Sequence, residues 1–491
     1  MKWIGRAALA VLGLVVVLAV IVAVRTATYK PPAAADLAAV KLAAPITIDN
    51  ARAAQRLGEA VRILTISHQD PAENQPAEWE KLHAWLEATY PAAHRAMRRD
   101  IVANRTLVYT WPGSDPSLPP IILMAHQDVV PVTEGTEKDW KHPPFSGEIA
   151  DGAVWGRGSV DDKGSLVALF EAVEALSSQG FAPRRTVILV SGEDEEVRGV
   201  GARAAAAFLQ ARGVKAEFVL DEGSLVVADN PVTGGPAALI GVAEKGYGTL
   251  VVTAKAPGGH SSVPPKTTGV VTLARAVVAI SERSAPMAFE GPGAEMLRTL
   301  APTASPTVKM AVANEWLFKP LLIGQIGATP AGAAMLHTTI APTMLKGSPK
   351  ENVLPQDATA WINYRIAPGD SAAAVMARAR AAVGALPVSL AWTRTPDEAS
   401  AVSSTRSDGW KILAALASEG GRLPVAPSLV VAGTDSRYLQ PVAQDVYRFQ
   451  PMVVPMHSVG MIHGTNEHMT LDNLARMTGF YARLIATAAS R

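Results

Sequence analysis

The sequence predicts an α/β protein in which helices cover both faces of a mostly parallel sheet. The order of apolar segments along the chain predicts this fold class, and the composition predicts how many domains the chain can form. From about Ile46 onward, short apolar segments rich in β-branched residues alternate with longer segments of helical apolar spacing. Alternation of this kind is typical of parallel sheets covered by helices. The 491 residues are 48% hydrophobic, which is enough for a large core and for two or three domains.

An apolar N-terminal segment precedes this body. Residues 7–24 are uninterrupted apolar sequence, bounded by Arg6 and Arg25. Roughly 20 apolar residues span a bilayer as a helix, whereas the apolar region of a cleaved signal peptide has about 7–15 residues and a small-residue cleavage site. No clear site of that kind follows. We therefore expect residues 1–30 to form a transmembrane anchor rather than a cleaved signal segment, followed by a Pro/Ala-rich linker at 31–45.

The location of the body is only weakly specified by charge. Lys2 and Arg6 precede the apolar segment, and Arg25 and Lys30 follow it, so the positive-inside rule gives little preference. We expect a membrane-anchored protein with an extracytoplasmic body, periplasmic or extracellular. The absence of cysteine is compatible with that location.

Composition also excludes several kinds of chemistry. The formal net charge is +1 and no long charged run occurs, so no nucleic-acid partner is predicted. Without cysteine, the chain has no disulfide, no thiolate metal ligand and no cysteine nucleophile. Any metal must therefore be held by His, Asp and Glu.

Polar residues follow the predicted strands of the first domain. These strands lie in TLVYTWPG, PIILMAHQD, TVILVSGED and AEFVLDEGS. In open α/β sheets the ligand site lies beyond the carboxyl ends of the strands. We therefore expect the polar residues after the strands to share one rim: His126, Asp128, Glu195, Glu196, Asp221 and Glu222.

A second domain is predicted within the first. The segments YGTLVVTAKAPGGHSS and ATAWINYRIAPGD alternate like half-exposed strands, and AAAVMARARAAVGAL has helical spacing. We therefore divide the body into a catalytic domain at 46–244 and 396–491, and an inserted α+β domain at 245–395. The apolar segment VANEWLFKPLLIG in the insert has two interpretations, an acyl pocket or ordinary core.

The stretch DDKGSLVALFEA places two carboxylates, Asp161 and Asp162, at the start of an apolar helix. One interpretation is a solvated helix cap, since Asp is a good N-cap. The other is a metal site, in which cations compensate buried charge. The histidine and carboxylates of the rim form a mixed nitrogen and oxygen set that suits Zn²⁺, with Co²⁺ or Mn²⁺ as possible substitutes. Two neighbouring ions need a bridging carboxylate, and Asp161 is a candidate.

Eight motifs occur in an order that resembles a known family. They are HQDVVPV, GRGSVDDKG, GEDEE, LDEGS, GGHSSVPP, ENVLP with NYRIAPG, GTDSRY and IHGTNEH. In this order they resemble the zinc-dependent carboxypeptidase/aminoacylase metallopeptidases, and most of all the carboxypeptidase S group, which includes a secreted N-fatty-acyl-amino-acid synthase/hydrolase. The resemblance runs from about Ile46 to the C-terminus. It implies a zinc-peptidase-like catalytic domain, an inserted lid or dimerisation-type domain, and two Zn²⁺ ions.

The resemblance implies roles for the residues of the rim. His126 is similar to a ligand of one zinc, and Asp128 to the partner that holds the other nitrogen of its ring. Asp161 is similar to the bridging ligand, which in relatives often precedes a cis peptide. Glu195 is similar to the general base, and Glu196 to a ligand of the second zinc.

Two more metal ligands follow from the same likeness. In LDEGS, the carboxypeptidase S group favours Asp221, while aminoacylase-like relatives point to Glu222. We choose Asp221. His463, in IHGTNEH, completes the second zinc.

Further residues resemble those that contact substrate. His260 is similar to a donor that stabilises the oxyanion, although from the residues alone it reads as a turn residue. Asn352 and Arg365 resemble substrate clamps, since the Arg fork suits a free carboxylate; a solvated strand position is the alternative for Arg365. Asp435 and Arg437 resemble residues of a loop near the same carboxylate, or they pair only with each other.

The sequence thus predicts a zinc-dependent amidohydrolase or metallopeptidase. Its expected substrates are N-acyl amino acids or peptides cut at the C-terminal end. The alternatives are a non-catalytic binding protein on the same fold and a two-metal phosphoesterase. Catalytic groups on two domains imply closure around substrate, and the sequence leaves a monomer or a homodimer open.

Overall fold

The computed structural model describes residues 2–32, 37–197 and 199–490. Part of the predicted linker, residues 33–36, and the first residue of the predicted anchor lie outside this range.

Fourteen α-helices occur within the described residues. They are α1 Lys2–Ala27, α2 Asn50–Val61, α3 Pro76–Thr89, α4 Pro91–Ala96, α5 Lys163–Ser178, α6 Val200–Ala211, α7 Gly269–Ser281, α8 Gly291–Leu300, α9 Pro306–Ala313, α10 Glu315–Gly327, α11 Pro330–Leu336, α12 Ala372–Val383, α13 Asp408–Ala417 and α14 Leu471–Ala488.

The strands of the described chain are β1 Arg98–Val102, β2 Thr106–Trp111, β3 Ile121–Met124, β4 Glu148–Ala150, β5 Ala153–Trp155, β6 Val187–Ser191, β7 Ala216–Asp221, β8 Val226–Asn230, β9 Gly235–Glu244, β10 Gly246–Lys255, β11 Gly259–His260, β12 Thr339–Lys346, β13 Val353–Leu354, β14 Asp357–Ile366, β15 Val388–Trp392, β16 Val425–Val430, β17 Ala443–Arg448, β18 Val453–Val454 and β19 His468–Thr470.

The main sheet has a parallel centre with antiparallel pairs on both sides of it, and the outer pairs β8–β18 and β9–β16 are again parallel. Its strand order is β1-β2-β6-β3-β7-β17-β9-β8-β18, with β16 beside β9. The neighbours β6, β3, β7 and β17 are parallel, while β1–β2, β2–β6, β17–β9 and β8–β9 are antiparallel. The sheet is therefore more mixed than predicted. Turns of three and four residues join β1 to β2 and β8 to β9, and such turns are too short for a parallel crossover.

Helices cover both faces of this sheet, as predicted. Alternate strand residues enter two separate apolar cores: Tyr109 and Leu123 pack with α2, α5 and α14, whereas Val108 and Ile122 pack with α6. Because both faces are apolar, the central strands read as continuous apolar runs. This double burial holds the carboxyl ends of β3, β6 and β7 at one edge.

A second sheet lies within the predicted insert. The strand order β12-β14-β10-β15 is antiparallel throughout. The helices α7 and α12 cover one face and share an apolar core with Leu250 and Ile362. The alternating burial of β10 and β14 agrees with the half-exposed pattern of their sequences.

The helices α8–α11 form a separate packing unit within the range 245–395. Phe289, Ala294 and Leu322 belong to their own apolar core. Leu300, at the end of α8, packs instead with Ala237 of β9 and Ala426 of β16. The helix α8 therefore lies against the main sheet. The predicted insert therefore contains two units, a four-stranded sheet and a helical unit that packs on the larger domain.

The N-terminal helix α1 is long and apolar enough to cross a membrane. Leu9–Ala27 has a mean hydropathy of 2.7 and is not buried against the protein body. Among the described residues it is the one helix that meets this test of length and composition.

A buried lysine connects α5 to α2. The fully buried Lys163 donates from Nζ to the carbonyl of Ala60 at 3.1 Å and to the carbonyl of Ile63. Ala60 lies in the last turn of α2 and Ile63 lies two residues beyond its end, so Lys163 adds a donor where few helix carbonyls have intrahelical partners. The lysine that follows the paired aspartates is therefore a structural cap for another helix.

Replacement of Lys163 by Met should destabilise the protein. Met fills similar space but removes the Nζ hydrogen bonds to the Ala60 and Ile63 carbonyls, which would keep only their backbone donors, so we expect the free energy of unfolding to fall by roughly 1–3 kcal/mol. The measurement is chemical denaturation of Lys163→Met beside Lys81→Met, whose side chain is 58% exposed. Equal midpoints for the two variants would show that the Lys163 contacts do not stabilise the fold.

Candidate active site

The rim residues follow three parallel neighbours of the main sheet. His126 lies two residues beyond β3, Glu195 four residues beyond β6, and Glu222 directly after β7. The order β6-β3-β7 places His126 between the two acidic loops. The structure thus brings together side chains that are far apart in sequence.

His126 is held between two aspartates. Its Nε2 atom lies 2.9 Å from Asp161 Oδ1, and its Nδ1 atom lies 3.2 Å from Asp128 Oδ1. Only 3% of His126 is exposed. Burial opposes ionisation of Asp161, but hydrogen bonds from His126 and His463 hold the pKa of its carboxyl well below the usual range.

Asp128 also fixes the loop that carries the two glutamates. Its Oδ1 accepts from the backbone N–H of Glu195 at 3.2 Å, and its Oδ2 from that of Glu196 at 3.1 Å. The carboxylate of Asp128 is fully buried. Asp128 therefore fixes the ring of His126, whose Nδ1 also lies 3.0 Å from the Asp128 backbone carbonyl, and the Asp128 carboxylate fixes the course of the loop.

Asp161 lies between the two histidines of the site. Its Oδ2 atom is 3.0 Å from His463 Nε2, while its Oδ1 contacts His126. His463 Nε2 is also 3.0 Å from Glu196 Oε2. Hydrogen bonds that His463 donates to Asp161 and Glu196 raise its pKa to about 10. Asp161 thus connects His126 to the pair formed by His463 and Glu196.

Two overlapping groups of side chains could hold metal ions. The ligand atoms of His126, Asp161 and Glu196 lie within 4.8 Å of one another, as do those of His126, Glu195 and Glu222. Burial raises the pKa of Glu196 to about 7, with a further contribution from Asp161, and raises the pKa of Glu195 and Glu222 well above the usual range. Crowded, desolvated carboxylates with neutral-nitrogen donors fit divalent zinc.

The geometry favours Glu222 over the expected ligand Asp221. Asp221 is buried, and its Oδ2 accepts from the backbone N–H of Ser436 at 2.9 Å. It belongs to neither ligand group, whereas Glu222 belongs to one. Asp221 is the last residue of β7 and Glu222 the first residue after it, and Glu222 is the one that lies beside His126 and Glu195.

The second aspartate of the pair has a different role from the first. Asp162 is fully buried, and its Oδ1 accepts from Gln450 Nε2 at 2.9 Å. Its Oδ2 accepts from the backbone N–H of His126 at 3.3 Å. The peptide bond between Asp161 and Asp162 is cis. Asp161 therefore belongs to the ligand cluster, whereas Asp162 holds the backbone of His126 in place.

Glu467 is a site-building residue that the sequence analysis missed. Its Oε1 accepts from the backbone N–H groups of Gly158 and Val160, both at 2.9 Å, and of Asp161 at 3.1 Å. Its Oε2 accepts from Arg157 at 2.6 Å. The sequence feature that could have indicated this role is the position of Glu467 in the motif IHGTNEH, four residues after the predicted ligand His463.

A cleft of ≈ 680 Å³ opens beside the ligand cluster. Glu195, Glu196 and His463 line it from the larger domain, and Tyr247 and Arg365 from the four-stranded sheet. The Arg365 guanidinium lies 4.8 Å from the centre of the Tyr247 ring.

Arg365 has no carboxylate partner in the part of the chain that the structure describes. Burial lowers its pKa, and the neighbouring Arg437 adds to this effect. An Arg that faces a cleft without a counter-ion favours an anionic ligand.

Asp435 and Arg437 do not pair with each other. Arg437 Nε donates to the buried Glu244 at 2.6 Å. Asp435 is buried beside Gly192 and Gly199, and its Oδ2 has no hydrogen-bond partner among the described residues. Burial, together with the charge of Asp221, raises the pKa of Asp435 well above its usual range.

His260 and Asn352 lie together but outside the cleft. Both are exposed on the short ribbon of β11 and β13, where the N–H of Ser261 donates to the carbonyl of Asn352 at 3.1 Å. His260 Nδ1 lies 2.7 Å from Ser262 Oγ. Neither residue lines the cleft.

The segment VANEWLFKPLLIG does not line the cleft either. Phe318 packs against the core of the helical unit, whereas 54% of Trp316 is exposed. The structure therefore favours core packing over an acyl pocket for Phe318.

Comparison with known proteins gives consistent results. The model of peptidase family M20/M25/M40 matches residues 122–487. Probable carboxypeptidase S-like 2 of Dictyostelium discoideum is 35% identical over 454 residues, covering 89% of this chain and 85% of the relative. N-fatty-acyl-amino acid synthase/hydrolase PM20D1 of Homo sapiens is 33% identical over 441 residues, covering 88% of this chain and 87% of the relative.

The fold also resembles solved structures. The crystal structure of human carnosine dipeptidase 1 superposes with a TM-score of 0.64 at 15% identity. The match covers 90% of this chain and 96% of that one. This likeness supports the mixed α/β architecture.

Substitution of Glu222 should affect metal binding more than substitution of Asp221. We expect Glu222→Gln to lower metal content, because it removes an anionic oxygen from the ligand group. Asp221→Asn should retain metal, since its amide oxygen can still accept from Ser436. The measurement is bound zinc per chain after dialysis, by elemental mass spectrometry, with circular dichroism to confirm folding. Loss of zinc in Asp221→Asn alone would identify Asp221 as the ligand.

Proposed function

Because this chain belongs to peptidase family M20/M25/M40 and is a metal-dependent hydrolase, we propose that it cleaves amide bonds in substrates with a free carboxylate. These substrates are N-acyl amino acids or peptides cut at the C-terminal end. One observation carries the proposal: the cleft joins a candidate metal cluster on one wall to an Arg without a carboxylate partner on the other. Names of relatives at 33–35% identity refer to carboxypeptidase S-like activity and to N-fatty-acyl-amino acids.

The proposed cofactor is a pair of zinc ions. His126, Asp161 and Glu222 would hold one, and Asp161, Glu196 and His463 the other; the contacts of Asp161 with both histidines support this division. When bound, the metal supplies Lewis-acid polarisation of the amide carbonyl and makes the attacking water more acidic.

Glu195 is the proposed general base. Its backbone is fixed by Asp128, and its side chain lines the cleft. Burial raises the pKa of its carboxyl, so Glu195 can take a proton from water and give it to the leaving amine.

Arg365 is the proposed clamp for the substrate carboxylate. It lies across the cleft from Glu195, and its ring contact with Tyr247 orients the guanidinium plane. A charge-assisted pair with a carboxylate would compensate the buried cation.

His260 is the proposed oxyanion donor, supplied by a second copy of this chain. Arg365 pairs with Tyr247 near the start of β10, while His260 follows Lys255 at the other end of that strand. The eight steps from Tyr247 to Lys255 span roughly 27 Å at about 3.4 Å per residue. A rigid sheet cannot therefore bring both residues to one substrate, and the exposed His260 is free to reach a neighbouring cleft.

We also propose that α1 anchors the protein in a membrane, with the catalytic body on the extracytoplasmic side. The exposed apolar stretch Leu9–Ala27 supports the anchor.

The central test is amide hydrolysis by the full chain in detergent micelles loaded with zinc. We expect amine release from short- or long-chain N-acyl amino acids or from unblocked dipeptides. Glu195→Gln should lower kcat by about 10²–10⁴, the range for loss of a general base. Preference within the panel distinguishes an N-acyl amino acid hydrolase from a carboxypeptidase. Wild-type activity equal to that of zinc-loaded Glu195→Gln would contradict amide hydrolysis.

The carboxylate clamp is tested in the same assay. Arg365→Gln should raise KM by about 10–100-fold, which corresponds to a hydrogen-bonded charge of roughly 1.5–3 kcal/mol. Carboxamide analogues should be poor substrates of the wild type. Arg394→Gln is the matched control, because Arg394 lies 5.7 Å from the same ring but pairs with Asp397 at 3.7 Å.

A mixing experiment tests the donation of His260 between copies. His260→Ala and Glu195→Gln, co-expressed with different tags, should form heterodimers in which one site has both groups intact. With random pairing, about a quarter of the wild-type activity should return. The control is a heterodimer of Glu195→Gln with Glu196→Gln. Both residues come from the chain that carries the cleft, so each of the two sites lacks one glutamate and no activity should return. Absence of recovery in isolated heterodimers would show that His260 acts within its own chain.

A further inference from the structure

Among the described residues, the end of α1 and the residues that follow it contact the protein body. Val22, Thr26 and Tyr29 are partly buried, at the helical spacing of one face. Asn314 Nδ2 donates to the Val22 carbonyl at 3.3 Å and to Thr26 Oγ1 at 3.1 Å, and the Tyr29 hydroxyl donates to the Arg298 carbonyl at 2.9 Å. The helical unit α8–α11 is therefore the part of the body that α1 touches.

The helix α10, which begins directly after Asn314, exposes an apolar stripe. Three large apolar side chains of one helical face are exposed, those of Trp316, Leu317 and Leu321, and the same face continues through Pro320 and Gly324 to the polar Gln325. Trp316 and Leu321 are each 54% exposed. The opposite face packs into the core of the helical unit through Phe318, Leu322 and Ile326. Packing of the core thus leaves the stripe without a partner in the described chain.

The stripe is continuous with the contact between α1 and the body. Trp316 and Leu317 lie two and three residues after Asn314, which is roughly 3–5 Å along a helix axis. Val22 and Thr26 lie near the C-terminal end of the candidate span Leu9–Ala27, where a spanning helix leaves the hydrocarbon. The stripe therefore begins at the depth at which this helix would meet the lipid headgroups.

We propose that the stripe of α10 lies in the headgroup–acyl boundary of the phospholipid bilayer that α1 spans. Trp and Leu suit this boundary, because their apolar bodies enter the acyl region while the indole N–H stays hydrated. Arg25 in the last turn of α1 and Lys30, three residues beyond the helix, add positive charge at this end of the span, although Arg25 Nε also donates to the carbonyl of Ala313 at 3.4 Å. The α10 helix thus serves as an interfacial second contact that fixes the tilt of the body.

This proposal rests on the proposed anchor, not on amide hydrolysis. The cysteine-free chain permits a direct test with single cysteines that carry an environment-sensitive fluorophore. Leu321→Cys reports the stripe. Ile101→Cys, on β1 and also 54% exposed, is the matched control, and Leu14→Cys reports insertion of α1. The full chain is reconstituted in phosphatidylcholine and phosphatidylglycerol vesicles, with and without doxyl-labelled lipid.

We expect doxyl lipid to quench the Leu14 and Leu321 probes several-fold more than the Ile101 probe, with shallow labels more effective at Leu321 and deep labels at Leu14. A Leu321 probe quenched no more than the Ile101 probe would overturn the proposal. So would a Leu321 probe shielded from water but insensitive to doxyl lipid, which would indicate a second copy on the stripe. An unquenched Leu14 probe would also overturn it, because no bilayer would then lie beside α10.

The same measurement in the Glu195→Gln background separates this proposal from the proposed reaction. Quenching should be unchanged by that substitution. Lipid contact at Leu321 without amide hydrolysis would overturn the reaction and support the interfacial helix, and hydrolysis without lipid contact would do the opposite.

Discussion

The carboxylate of Glu467 joins the two segments on which the candidate metal cluster depends. It accepts three backbone N–H groups of the loop at 158–161 and the guanidinium of Arg157. Arg157 in turn donates to the carbonyls of His463 and Gly464. Because this network is buried, each of its hydrogen bonds is strong and each lost partner is costly. Asp161 and His463 are therefore positioned relative to each other by the protein itself.

Much of the candidate site could be predicted from sequence because its residues follow strands. A strand that ends in a polar motif places that motif on the rim, whatever the rest of the fold does. The choice between Asp221 and Glu222 could not be made in this way. It depends on the course of the chain as it leaves β7 after Asp221, which brings Glu222 beside His126 and which the local sequence does not determine. Glu467 was missed for a related reason, since its role is to accept backbone groups that carry no sequence signal.

The parts of the fold that escaped prediction depend on contacts between distant segments. The alternation of β10 and β14 is local, and it was visible in the sequence. The packing of α8 on β16 joins residues more than a hundred positions apart, such as Leu300 and Ala426. Nothing in the local pattern of 291–336 distinguishes a helix that packs on the four-stranded sheet from one that packs on the main sheet.

This packing constrains how an anchored protein could share His260 between copies. The helical unit connects α1 to the main sheet, so the membrane would fix the orientation of the larger domain. Two copies with anchors in one bilayer can be related by a two-fold axis only if that axis lies along the membrane normal. The ribbon of β11 and β13 would then have to face sideways, parallel to the bilayer, to reach the neighbouring cleft. Confinement to the membrane plane would raise the effective concentration of the second copy. If α10 lies in the membrane interface and fixes the tilt of the body, it would favour the same two-fold pairing about the membrane normal.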